Sequence, residues 1–232
     1  MSLTHAGGGT QRERLAGLAL LPVLATALFY GLPADLQGNI AVQFVPQVLG
    51  YVGLAVWAGW NDRVIPRLGL AFGGAGIGFR WGLPVGLLLG CLNVVVILRL
   101  VPWLGGDIAF LRGTPHAQIP AAVMLPWFIL TIAIFVEVNF RGFLLGRLLA
   151  LGRSWWPASS RAGPALAVTG SALVFSFDPF MTATFRHLHW VAVWDGIAWG
   201  LLWLRLRNLY APIAAHAVEV IVMYSIIKYV LT

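Results

Sequence analysis

Apolar residues fall in seven long runs, at about residues 15–32, 41–60, 81–103, 122–145, 163–180, 189–204 and 209–230, separated by short polar or basic stretches. A helix needs about 20 apolar residues to cross the hydrocarbon of a bilayer. The pattern therefore predicts an all-α fold, a polytopic transmembrane helix bundle of about seven spans. Residues 1–14 are polar and basic, and the run behind Arg12 and Arg14 ends in GLPADLQGN without a small-residue cleavage site. A secretion signal has an apolar core of roughly 7 to 15 residues, so this longer run is expected to stay as the first helix. Within the third run, Gly82, Gly86 and Gly90 recur every fourth residue and predict one small helix face for close packing. Loops are expected at 61–80, 104–121 and 150–162.

Charge placement orients the bundle. With the N-terminus cytosolic, Arg12, Arg14, Arg63, Arg67, Arg80, Arg147, Arg153, Arg161, Arg205 and Arg207 lie inside, and Arg99, Arg112, Arg186 and Lys228 toward the other side. The positive-inside rule favours that arrangement, in the cytoplasmic membrane as a multi-pass protein with its C-terminus outside. Trp57, Trp60, Trp81, Trp103, Trp190 and Trp203 fall near span ends, where interface anchors are expected.

Composition narrows the function classes. The 232 residues are 59% hydrophobic and 10% charged, against about 25% charged in a soluble domain. A net charge of +7 would suggest nucleic acid in a soluble protein; here the basic residues sit between apolar runs, and anionic membrane lipid is the partner implied instead. The glycine-rich LGLAFGGAGIG has neither GxGxxG spacing nor a following GK[ST], so it predicts no phosphate loop. The lone Cys91 excludes an intrachain disulfide and a cysteine zinc site.

Chemistry concentrates in two stretches. IAIFVEVNFRGFLLGRLL, residues 132–149, carries Glu137, Asn139, Arg141 and Arg147 inside an apolar run, where an ionisable group is costly unless paired or wetted. Glu137 and Arg141 stand four residues apart, on one helical face. In the last run His216 and Glu219 are three apart, again on one face, and at a depth similar to that of Glu137. A carboxylate and an imidazole that meet in a dry bundle can activate water and stabilise an oxyanion. They can equally lock helices together. Asp178 and Asp195 are further buried-acid candidates, either able to partner Arg141 or Arg186.

FVEVNFRGFLLGRLL resembles the first motif, EExxxR followed by Gly, of the CAAX-processing and bacteriocin-processing (CPBP, or Abi) intramembrane proteases. GLLWLRLRNLYAPIAAHAVEV resembles the third motif of that family, which ends in HxxxN or HxxxD, and SALVFSFDPF resembles its SxLxFxxxH segment. Together these cover roughly residues 122–225. The resemblance implies a single membrane domain in which 1–121 supplies N-terminal helices and 122–232 the protease core. The departures are specific: Val136 stands where the first glutamate is expected, Pro179 where a histidine is expected, and Val220 four residues after His216. Glu137, Asp178 and Glu219 each lie one residue away, about 100° of helical rotation. His189 satisfies the FxxxH spacing from Phe185, but its depth places it, with His187, at the outer interface.

By resemblance, such enzymes cut membrane-anchored or lipidated proteins near the C-terminus, or process small peptides, without a metal or other cofactor. Glu137 would handle the attacking water, directly or with Glu219. His216 would stabilise the oxyanion, Arg141 would hold the carboxylates ionised, and Asp178 would orient the water. A metal set of His216, Glu219, Glu137 and Asp178 is conceivable on paper, but the resemblance implies a metal-independent mechanism. The three apolar substitutions also fit a rival, a pseudoprotease that keeps the fold as a binding or scaffold protein. A small carrier would carry inverted repeats, and the sequence has no such symmetry.

Overall fold

In the computed structural model, residues 13–157 and 160–231 are described, and every regular element among them is helical. Arg12 lies outside them. The long helices are α1 (Leu20–Phe29), α2 (Val45–Trp60), α3 (Ala75–Val95), α4 (Ile129–Glu137), α5 (Gly146–Trp155), α6 (Ala162–Ser176), α7 (Pro179–Phe185), α8 (Val191–Leu206) and α9 (Tyr210–Leu231). All seven apolar runs are helical along most of their length. Among the described residues, three helices are long and apolar enough to cross a membrane: Val64–Trp103, Ile129–Arg153 and Tyr210–Leu231. A fourth forms if Ala162–Ser176 and Pro179–Leu188, bent by 55°, count as one broken span. At 16 residues each, α2 and α8 are short for a crossing. By length and composition the count is thus three to four spans.

Several expected boundaries shift. The glycine-rich segment between the second and third runs is not a plain loop: Val64–Leu68 is helical, and α3 already begins at Ala75. Gly69, with φ +91°, ends the short helix, and its carbonyl accepts from Leu209 N at 2.8 Å. A Cβ there would lie 3.0 Å from Leu209 N, so both the dihedral and the close crossing require glycine. At the fourth run the helix does not stop near Leu145. It passes through a π-helical stretch, Val138–Leu145, and continues as α5 to Trp155, because that amphipathic segment holds no proline before Pro157. The fifth run breaks at Asp178, whose side chain caps α7 ahead of Pro179.

Close helix packing organises the bundle. α3 presses its glycine face onto α9: a Cβ on Gly82 or Gly86 would fall 2.4 Å from the carbonyl oxygen of Ala211 or Ala215. Small residues let two backbones approach in this way where no hydrophobic effect drives them together. α6 and α8 form the other extensive pairing. Trp57 and Trp203 are not interface anchors. Trp57 is fully buried, donating to Glu13, and Trp203 is buried with its indole donating to the Leu68 carbonyl. Arg147 lies over the Trp57 ring and pairs with Glu13, which fastens the N-terminal segment to the π stretch and α5. The outside is apolar: Leu28, Leu88 and Trp103 are 72%, 70% and 79% exposed. A surface so continuously apolar suits lipid, not water, and the molecule is a membrane protein.

Candidate active site

Glu137 is the last residue of α4, immediately before the π stretch that carries Arg141. Both side chains are wholly buried, so neither charge can be left alone. Glu137 Oε1 accepts from Arg141 Nη1 at 3.2 Å and lies 2.9 Å from His216 Nδ1. The guanidinium is wedged between aromatic faces, 4.7 Å from the Phe175 centroid and 5.0 Å from that of Trp199. Trp199 also stacks on the His216 ring, with centroids 4.3 Å apart and planes 15° off parallel. Ser171, the serine of SALVF, donates to the Phe140 carbonyl at 2.8 Å and ties α6 to the π stretch. The result is a rigid unit in which α4, α6 and α8 hold the imidazole of α9 at one angle.

A second buried cluster lies on α3, α8 and α9. The Asn93 amide nitrogen donates to Asp195 Oδ2 at 2.9 Å and to Glu219 Oε1 at 2.7 Å, while its carbonyl oxygen accepts from Trp194 Nε1 at 2.9 Å. Glu219 shares a face with His216 but turns to Asn93 and not to Glu137. Asp195 and Trp199 are four apart on α8, so they too share a face.

These groups meet at a cavity of about 700 Å³ whose wall includes His216, Glu219, Asp195 and Trp199. The apolar Val136 and Val220 line it as well. Glu137 and Arg141 do not; they stand behind the wall, with Glu137 reaching the cavity through His216. Asp178 is placed elsewhere. Its Oδ1 accepts from Gln47 Nε2 at 2.8 Å and from the amides of Phe180 and Met181, and it is absent from the cavity wall. The expectation of a partner in Arg141 or Arg186 is corrected accordingly: a backbone amide pair and a glutamine satisfy it, and Arg186 packs over Phe110.

His189, expected at the outer interface, follows the short helix Arg186–Leu188 and also lines the cavity, on a wall it shares with Arg112 and Lys228. His187 stays exposed, its ring against Phe110. Sequence reasoning missed Asn93, although a lone amide three residues beyond Gly90 on an apolar helix is a signal of its own. Among the described residues no group of three or more His, Cys, Asp or Glu side chains is arranged to hold a metal ion.

Residues 118–222 match the family described as type II CAAX prenyl endopeptidase Rce1-like. The resemblance carried by the motifs is thereby shown for this segment, which holds Glu137, Arg141, Asp178, Asp195, His216 and Glu219. Proteins of that family are intramembrane proteases acting on membrane-anchored prenylated proteins. No curated protein and no solved structure matches the chain.

Proposed function

We propose that this protein is an intramembrane endopeptidase that cleaves membrane-anchored or C-terminally modified proteins or peptides from within the cytoplasmic membrane. The observation that carries the reading is His216: its Nδ1 is held by a buried Glu137–Arg141 pair while its ring borders a cavity inside a family-matched segment. A histidine whose one nitrogen is held by a carboxylate has its other nitrogen aimed and its charge supported. In the proposed reaction Glu219, on the cavity wall, takes a proton from water as the oxygen attacks the scissile carbonyl. His216 donates from its second nitrogen to the oxyanion, with Glu137 stabilising the ring charge and Arg141 holding Glu137 in place. Collapse of the intermediate breaks the C–N bond, and a proton is delivered to the departing amine. Asp178 serves as a cap and takes no part. The bundle lies N-terminus inside, with seven helices engaged in the membrane and the shorter ones partly inserted.

One observation favours the scaffold reading: Val136 and Val220 put hydrocarbon on the cavity wall at two positions where the motifs lead one to expect polar groups. Mass spectrometry of released peptides and new C-termini separates the two. Cells expressing the native chain should release peptides that are missing with His216→Ala or Glu137→Gln at equal membrane abundance. Identical peptide profiles would leave the scaffold.

A further inference from the structure

The proposed chemistry leaves one buried, cavity-facing acid unused. Asp195 is 4% exposed, lines the cavity, and has an oxygen, Oδ1, with no hydrogen-bond partner among the described residues. Its other oxygen shares the Asn93 amide with Glu219 Oε1. An amide NH₂ offers two hydrogens in a fixed fork, so it holds the two carboxylate oxygens roughly 5 Å apart. Two like charges at that separation in a dry bundle repel strongly, and a pair sharing one proton escapes the repulsion. Trp194 fixes the fork by donating to the Asn93 carbonyl oxygen, so the amide cannot flip without losing that bond. Beside the pair, the Trp199 indole N–H is also buried without a partner among the described residues, and the ring borders the same cavity. The wall therefore presents an unpartnered acceptor and an unpartnered donor next to a spaced acid pair, the complement of a water or peptide group.

Resting on the endopeptidase reading, we infer that Asp195 and Glu219 form one acid–base unit, with Asn93 as the positioning residue that sets their spacing. The unit starts with one proton, on Asp195. Glu219 takes a proton from the attacking water as the C–O bond forms, and Asp195 gives its proton to the departing nitrogen as the C–N bond breaks. The peptide becomes an acid and an amine, and the pair still holds one proton, now on Glu219, which passes back to Asp195 before the next turnover. Asn93 lies outside residues 118–222, so part of the site comes from a helix that the family match does not include. The charged and titratable groups that face the pair or its cavity are Arg141, whose charge acts on Asp195, His216 with Glu137 behind it, and Arg112, His116, His189, Tyr224 and Lys228 on the cavity wall.

The test compares native, His216→Ala, Asp195→Asn, Asp195→Glu, Glu219→Gln and Asn93→Ala chains at equal membrane abundance, reading released peptides by mass spectrometry. A peptide released by the native chain is then embedded in its synthetic precursor and used with purified protein in liposomes for pH profiles. Asp195→Asn and Glu219→Gln should each lower release by on the order of 100-fold, the scale of a general acid or base. Asp195→Glu should retain more activity than Asp195→Asn. Asn93→Ala should move the pH profile as well as lower the rate, whereas a purely structural role would scale the rate equally at every pH. Native-level release by Asp195→Asn, alongside loss in His216→Ala, overturns the acid pair and leaves the endopeptidase reading standing. Native and His216→Ala profiles that coincide sink both. If Asp195→Asn fails to accumulate, the Asn93→Ala profile decides, and an unmoved one overturns the inference.

Discussion

Glu137 Oε1 serves two partners while Oε2, Arg141 Nε and Arg141 Nη2 are buried without any among the described residues. Such a couple is expensive to break from one side only, because the survivor is a lone buried charge. Glu137→Gln and Arg141→Met should each lower the melting temperature in detergent. The double variant should be less destabilised than the sum, with a coupling of about 1–3 kcal/mol in a double-mutant cycle; strict additivity would mean that the pair is energetically idle. Arg141→Lys should not restore stability, since an ammonium cannot fill the slot between Phe175 and Trp199 as a flat guanidinium does. A different variant probes the wall. Val136 already faces the cavity, so Val136→Glu places a carboxylate on the wall that His216 also lines. An active site should gain cleavage severalfold, and a scaffold should gain none. At this scale Glu137, Arg141 and His216 were legible, because charges in apolar runs stand out and helical spacing fixes their faces. That Glu219 turns to Asn93 was not legible, since the choice depends on which helix packs against α9.

Elements reveal what spacing hides. The seven apolar runs and the small face of Gly82, Gly86 and Gly90 could be read directly, because both follow the helical period. The ends of the helices could not. A glycine cluster looks like a loop until a partner backbone needs its missing side chains, and the π stretch at Val138–Leu145 leaves no periodic mark. Gly86→Val should therefore be severe: its branched side chain would enter the Ala215 carbonyl 2.4 Å away, and overpacking of this kind typically costs about 1–3 kcal/mol, or the fold. Melting in detergent measures it, with Gly59→Ala as a control that meets nothing within 4 Å. In the segment between α3 and α4, outside the membrane-spanning helices, His116 packs against Phe185 and lines the cavity. Burial lowers its pKa from the ordinary 6.5, because desolvation disfavours the charged ring. The folded state thus prefers neutral His116. Its packing is fully favourable above pH 6.5 and is eroded as pH falls from 6.5 through the lower folded value. Protection factors across residues 109–118, which correct amide exchange for its intrinsic slowing at low pH, should be lower at about pH 5 than at about pH 7.5, and His116→Phe should remove the difference. Equal protection at both would contradict it.

For the whole molecule, the site depends on both halves of the chain. Asn93 comes from α3, and the C-terminal helix is tied across the cavity loop by Lys228, whose Nζ donates to the Ala117 and Ile119 carbonyls and to Tyr224. The site is thus framed by helices that a hydropathy profile treats as independent spans. Orientation follows from charge alone, and it makes a sharp prediction. In a Cys91→Ala background, single cysteines at Asp62 and Arg161, both exposed, should react with a membrane-impermeant maleimide only after the membrane is opened from the cytosolic side. Cysteines at Asp35 and Leu104, also exposed, should react in intact cells. Seven engaged helices alternate these sites across the bilayer. A bundle in which only the three or four longest helices cross would leave Asp35 and Asp62 on one side, since α2 alone separates them and its 16 residues would lie flat or half-inserted. The labelling of that pair therefore decides whether α2 is a span. It also decides what surrounds the buried Glu137–Arg141 pair, because α2 packs against the π stretch, where Gly50 meets Asn139, and an α2 lying at the interface would bring that face of the bundle to water and not to lipid.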